Sequence, residues 1–298
     1  MLRMDRTLAL SGLRVAIFRF APRAPLRLQP YAGSVWRGAF GHALKRIVCT
    51  RSLAPCAGCP LQAACLYPSF FGAEAETDVT RPYILTPDPT PRGGWVGPGE
   101  PFDITLTLLP AAERAAAYAA RALVEAASAG LTARRVPLDL LSLRPAHAPE
   151  VGGGGPLEPL TLASPPAPNR VRLRFVTPLR LRLQADLLTG RTLRPAHLVA
   201  AAIRRLRLLG LAAPDELATE ARRAVNGLEF ADPRLGWLET TRFSTRQNTS
   251  MQLGGIVGQA TLEFTGAPEI WPFLWAASVL HLGKSAAMGF GKVVADAA

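Results

Sequence analysis

RVRLRFVTPLRLRLQ, residues 170–184, is the stretch whose reading decides the fold. Val171, Leu173 and Phe175 share one parity with Leu179, Leu181 and Leu183, while Arg170, Arg172, Arg174, Arg180 and Arg182 take the other. Successive side chains of a strand point to opposite faces, so one face is core and the other a row of guanidinium groups. Thr177-Pro178 interrupts the run without changing its parity, as a bulge or an edge site does.

Downstream, Pro195 to Gly210 reads as a helix with Val199, Ile203, Leu206 and Gly210 inward and Arg204, Arg205 and Arg207 outward. A helical region near 214–225 follows. Two strands, near 237–246 and 255–264, flank a turn region at Gly254-Gly255. A helix from Glu269 to Leu282 and a strand from Phe290 to Ala295 close the chain. Strand, helix, strand, strand, helix, strand is the ferredoxin-like βαββαβ unit, which is also the topology of the RNA-recognition motif.

Upstream, the same order is followed less completely, with the cysteine segment as an insertion. Leu8 to Phe20 reads as a strand, and the proline-rich loop after it carries Arg23 and Arg27. YAGSVWRGAFGHALKRIVCT, residues 31–50, predicts a helix over 33–49. Val35, Trp36, Phe40, Leu44 and Ile47 form its apolar stripe, Ser34 is the expected N-cap, and the other face carries Arg37, His42, Lys45 and Arg46. Residues 81–101 read as a loop, Phe102–Leu109 as a strand, and 111–130 as an alanine-rich helix stopped at Gly130. The glycine- and proline-rich stretch 151–169 reads as a linker between domains at 1–150 and 170–298. The expectation is an α+β fold of two tandem ferredoxin-like (RRM-like) domains, with a cysteine-bearing insertion in the first and additional Arg-rich helices.

Composition narrows the function. The 298 residues are 49% hydrophobic, enough for two domains with cores, and only 19% charged. Yet the net charge is +12 and the pI about 10.7, an imbalance that points to a polyanionic partner, nucleic acid first. Of the 34 basic residues all are arginine except Lys45, Lys284 and Lys292. No apolar run reaches the ~20 residues that span a bilayer, and the N-terminus lacks a signal-peptide pattern, so a cytoplasmic protein with no membrane partner is expected.

All four cysteines fall within one short segment as C-x6-C-x2-C-x5-C: Cys49, Cys56, Cys59 and Cys65. That clustering indicates a local site rather than a disulfide framework. Four sulfurs around a CxxC core suit structural zinc or an iron–sulfur cluster; four reduced thiols without metal is the other reading. His281 ends an apolar helix bearing Trp271, Leu274 and Trp275, where a histidine serves as a cap or core residue, or else faces a ligand. Gly283, Gly289 and Gly291 let backbone amides approach a phosphate, with Lys284 and Lys292 nearby. Arg242, Arg246 and Gln247 sit on the hairpin before Gly254-Gly255. His147 and His197 lie among prolines and alanines and carry no expected role.

Five segments together resemble the CRISPR-associated RAMP endoribonucleases, which cut precursor CRISPR RNA within its repeats. They are WRGAFGHAL (36–44), CLYPSFF (65–71), VTPLRL (176–181), RFSTRQNTSMQLGGIVG (242–258) and HLGKSAAMGFGK (281–292). The arginine-rich helices also resemble the variant found in type IV CRISPR systems. The resemblance implies cleavage without metal, by attack of a 2′-hydroxyl on the adjacent phosphate, leaving a 2′,3′-cyclic phosphate and a 5′-hydroxyl. It implies His42 as acid/base, Lys45 against the developing charge and Tyr31 orienting the ribose, with Arg23, Arg37 and Arg242 as arginine alternatives. For RNA binding it implies Arg23, Arg37, Arg242, Arg246, Gln247, His281, Lys284, Lys292, Gly289 and Gly291. The implied partners are the repeat RNA hairpin, the mature CRISPR RNA and other effector subunits. A RAMP subunit that binds RNA without cutting is the alternative. A zinc-bearing DNA-binding protein fits less well, because no recognition helix with base-reading residues stands out.

Overall fold

The structure is a computed structural model that describes residues 7–51, 55–72, 80–90, 93–146, 155–184, 186–211, 213–244 and 249–298. The chain divides into two compact units, Gly12–Leu160 and Met1–Ser11 together with Thr161–Ala298. The first residues join the second unit because the Leu8 amide donates to Ser164 Oγ at 3.0 Å and the Ser164 amide to the Leu8 carbonyl at 2.8 Å. That division differs from an N-terminal domain running over 1–150.

In the N-terminal unit β1 (Ala9–Pro22) leads through the short β2 (Leu26–Arg27) to α1 (Gly33–Val48) and α2 (Leu66–Phe71). Then come β3 (Tyr83–Pro87), the short β4 (Trp95–Val96), β5 (Phe102–Leu108), a 3-10 turn running into α3 (Ala116–Ser128), and β6 (Leu138–Pro145). The sheet runs β3-β5-β1-β6, antiparallel at each of these pairings, with β7 (Leu160–Ala163) also on β1. This is the ferredoxin-like order. α1 packs on α3, and its Trp36, Phe40, Ala43 and Leu44 are fully buried. Trp36 stacks on Phe20 at 5.5 Å between centroids, and Phe40 lies 5.3 Å from Tyr83, which stacks on Phe70 at the same spacing.

In the C-terminal unit β8 (Arg170–Leu179) is followed by a ribbon of β9 (Arg182–Leu183) and β10 (Asp186–Leu187), then α4 (Pro195–Leu208) and α5 (Asp215–Ala224). β11 (Ala231–Leu238), a hairpin of β12 (Thr241–Ser244) and β13 (Thr249–Gln252), and β14 (Gly255–Glu263) come next, before α6 (Trp271–Leu280) and β15 (Val293–Ala297). The sheet order β11-β14-β8-β15 repeats the ferredoxin-like pattern. Val171, Leu173, Phe175 and Leu179 are buried, and Arg170, Arg172 and Arg174 exposed. β14 pairs Gly258 with Phe175 and Ile256 with Leu179, so three residues of β8 oppose one and the bulge falls at Thr177-Pro178. α6 is apolar nearly all round and correspondingly buried.

Several local expectations are corrected. β3 lies within the stretch read as a loop: its five residues are all buried, but a run that short between prolines carries too little periodicity. β6 likewise went unread, because leucines occupy both parities of its exposed edge. Ser34 is not the N-cap; α1 starts at Gly33 with Ala32 before it and no capping side chain. Leu183 is 56% exposed because β8 stops at Leu179 and the chain turns into the β9–β10 ribbon. Arg205 does not face outward; it is half-buried, with Nε donating to the Leu280 carbonyl at 3.2 Å, and burial draws its pKa down to about 10. Gly210, expected inward, is exposed beyond the end of α4.

Candidate nucleic-acid interface

α1 presents three faces where the sequence indicated two. Beside the core face, Arg37, Gly41 and Lys45 recur at i, i+4, i+8 and line up against α2. The Arg37 guanidinium stands 5.1 Å from the Phe71 ring centroid and the Lys45 ammonium 5.7 Å from that of Tyr67. Tyr67 and Phe71 themselves stack at 5.1 Å. Gly41 is required between the two cations, since a Cβ there would come within 2.8 Å of the Phe71 ring. His42 is on the remaining face and exposed, with Arg46 exposed one turn on. Lys45, three residues beyond His42, is half-buried against α2. An imidazole therefore meets solvent next to a lysine whose position an aromatic ring restrains.

Tyr31 does not join them. It is 3% exposed, and burial pushes its hydroxyl well above the ordinary tyrosine range. A ring at that depth has no surface for a ribose, so the expectation that Tyr31 orients one is corrected. Arg23 is exposed but neutralised, its Nε donating to Asp139 Oδ1 at 2.9 Å.

In the C-terminal unit the glycine-rich segment is sewn onto the β8 bulge. Thr177 Oγ1 donates to the Gly289 carbonyl at 2.7 Å and accepts from the Lys292 amide at 2.8 Å. The Gly291 amide donates to the Pro178 carbonyl at 3.0 Å and the Lys284 amide to that of Arg180 at 2.9 Å. Gly291 takes φ +70°, and a Cβ there would run into the Leu282 carbonyl. The amides of Gly289 and Gly291 are thus committed inside the loop, to Ala286 and Pro178, rather than offered to a phosphate. Lys284 is the exposed cation of this segment; Lys292 is half-buried.

His281 is a core residue. It is 4% exposed, with Nδ1 donating to the Phe290 carbonyl at 3.1 Å. Burial first, then the Lys292 charge, pulls its pKa down to about 3, so the ring is neutral and has no face for RNA. His197 accepts from the Arg194 amide at 3.1 Å and caps α4. Arg246, Gln247 and His147 lie outside the described residues, and Arg242 is described by its backbone alone, on β12.

Sequence reasoning missed Arg180 as a structural link. Its Nη1 donates to the Gly254 carbonyl, tying the Gly-Gly turn to the end of β8. It also passed over Arg27 on Trp95, a guanidinium 5.7 Å above a half-exposed ring; the signal was a lone tryptophan among glycines and prolines.

Two ferredoxin-like units and a glycine-rich loop fastened to the bulge of the second place the chain in the tandem ferredoxin-like fold class. Residues 173–293 match the family model described as CRISPR-associated endoribonuclease Cas6. Residues 10–155 match a second model, described as an N-terminal domain. Among solved structures, a Thermus thermophilus Cas6 is 13% identical with a TM-score of 0.59, covering 96% of this chain and 99% of that one. A Cas6 product complex is 17% identical, also at 0.59, covering 95% and 100%. A partial Cas6-RT-Cas1–Cas2 complex is 12% identical at 0.62, covering 97% of this chain and 46% of that one. At these identities the structures support the fold. No curated protein matches the chain.

Proposed function

We propose that the chain cuts precursor CRISPR RNA at its repeat hairpin without a metal in the cutting step, and keeps the product. His42 takes the proton of a ribose 2′-hydroxyl as that oxygen attacks the adjacent phosphorus. The 5′-oxygen leaves and takes its proton from solvent water, giving a 2′,3′-cyclic phosphate and a 5′-hydroxyl, and the His42 imidazolium returns its proton to solvent. Lys45 stabilises the charge that develops on the phosphorane oxygens. Tyr31, being buried, takes no part. The observation that carries this reading is His42 on the solvent face of α1, opposite Trp36, Phe40 and Leu44, with Lys45 beside it. A solvent-facing imidazole on a helix whose other faces are occupied has ligand as its remaining neighbour.

The exposed arginines of β8 and Lys284 supply phosphate and 2′-hydroxyl contacts to an A-form stem, read by shape. Protein partners are other CRISPR components, since related folds include a Cas6 product complex and a Cas6-RT-Cas1–Cas2 complex. Among the described residues no helix is long and apolar enough to cross a membrane.

The test is incubation of repeat RNA with the protein in EDTA. A single cut with a cyclic-phosphate end, lost in His42→Ala while binding persists, is the expected result. Cleavage by His42→Ala at the wild-type rate removes His42 from the reaction. Intact, bound RNA with the wild-type protein assigns a binding subunit instead.

A further inference from the structure

β2 and β4 form a short ribbon in which Leu26 pairs with Val96 and Arg27 with Trp95. Alternation along a strand sends the two pairs to opposite sides. Leu26 and Val96 are buried, whereas Arg27 is exposed and Trp95 is 47% exposed, its ring centroid 5.7 Å from the guanidinium. This outer pair borders a cavity of about 890 Å³ in the N-terminal unit, which Thr132 and Arg134 also line.

The backbone holds both parts of that lining in place. The Leu28 amide donates to the Gly94 carbonyl at 2.7 Å, and a Cβ on Gly94 would come within 2.6 Å of the Leu28 carbonyl. Across the turn that carries Arg134, the amides of Leu131 and Val136 each donate to the other's carbonyl, at 2.9 and 3.0 Å. Inside that turn Thr132 takes φ +65°, a conformation that β-branched residues rarely adopt. Strain of this kind persists only where the surroundings enforce it, and it collects at ligand sites.

Size, charge and shape set the kind of ligand. Pockets for small organic groups run from about 300 to 1,000 Å³, so this one has room for a nucleotide. Arg27 and Arg134 border it, and among the described residues no acidic side chain does. Neither arginine forms an ion pair among the described residues, unlike Arg23 nearby in sequence, which is held by Asp139. The half-exposed indole adds a flat apolar surface. A positive groove with an aromatic platform suits a base joined to its phosphates.

We infer that this cavity is a subsite for an unpaired nucleotide of bound RNA, whose base stacks on Trp95 while Arg27 and Arg134 meet the flanking phosphates. A paired stem keeps its bases stacked on one another, so the subsite takes single-stranded RNA. The inference rests on the reading of the chain as an RNA-binding protein, and it uses elements other than α1 and β8.

The experiment measures binding of two labelled RNAs to the full chain by fluorescence anisotropy. One is an oligouridylate of about ten nucleotides, which forms no hairpin, and the other a blunt-ended stem–loop. Stacking on an aromatic ring is worth about five- to hundredfold in affinity per base, so Trp95→Ala should weaken oligouridylate at least about fivefold and the stem–loop less than about twofold. Trp95→Phe should keep most of the oligouridylate affinity. Equal affinity of wild type and Trp95→Ala for oligouridylate would overturn the inference, as would an equal loss on both RNAs or no binding of oligouridylate at all. A photocrosslink from oligouridylate carrying one 5-iodouridine uses the wild-type protein, so an unstable variant does not decide the matter. The crosslink should fall on the peptide that contains Trp95, and crosslinks confined to other segments would sink the proposal. Cleavage is not read here: a chain that binds oligouridylate through Trp95 yet leaves repeat RNA uncut keeps this subsite and loses the cutting mechanism.

Discussion

The Lys45 ammonium rests 5.7 Å from the centroid of Tyr67, and both side chains border the cavity framed by the four cysteines. One lysine therefore connects the exposed face of α1 to the cysteine segment.

Replacing Tyr67 with leucine keeps an apolar wall but removes the ring face. A cation–π contact of this kind is worth about 0.5–2 kcal/mol, so single-turnover cleavage should fall roughly two- to thirtyfold. Lys45→Gln should cost more, on the order of 10²-fold, if its charge meets the phosphorane. Equal rates for wild type and Tyr67→Leu would show that the ring does not position the lysine.

His281 makes stability depend on pH. Its folded pKa lies near 3, below the ordinary histidine value, so the unfolded state binds the proton more readily. The stability it supports is complete above the unfolded value near 6.5 and is lost as pH falls toward 3. Thermal unfolding between pH 7 and 4 should show a falling Tm, and His281→Asn should flatten that slope. A parallel slope in the variant would assign the loss to other groups.

Gly291→Ala probes the loop that β8 holds. An alanine at φ +70°, aimed at the Leu282 carbonyl, has to move backbone. The left-handed conformation alone costs about 1–2 kcal/mol, and the collision adds to it. Urea unfolding should place the variant at least about 2 kcal/mol below wild type. Gly38→Ala, on the exposed side of α1 with nothing near its Cβ, is the contrasting case and should be neutral or slightly stabilising.

Binding of repeat RNA should weaken steeply with salt. Each phosphate neutralised contributes roughly 0.7–0.9 to the logarithmic slope. Five or more contacts would lower affinity more than tenfold between about 50 and 200 mM salt. A flat salt profile in a fluorescence titration would mean that the arginine excess is not used on phosphates.

The second βαββαβ unit was legible in residue order because it depends on local periodicity, as in the alternation at 170–175. Of the first, β1, α1, β5 and α3 were legible, α1 by its helical spacing at 36, 40 and 44. So was the bulge at Thr177-Pro178, which proline announces by lacking an amide hydrogen. What escaped was short or mixed. β3 has five residues and no alternation, and the leucines of β6 sit on both sides of an edge.

The candidate site divides along the same line. Sequence alone determined that α1 would carry His42 and Lys45, that the cysteines would be local, and that the chain would be strongly basic, since covalent spacing and composition settle all three. Only tertiary structure decided that Tyr31 and His281 are core, that the glycine amides of the C-terminal loop are already bonded, and that four thiols surround one space. Those outcomes depend on which segments, distant along the chain, exclude water from one another, and burial of that kind leaves no mark in the spacing of residues.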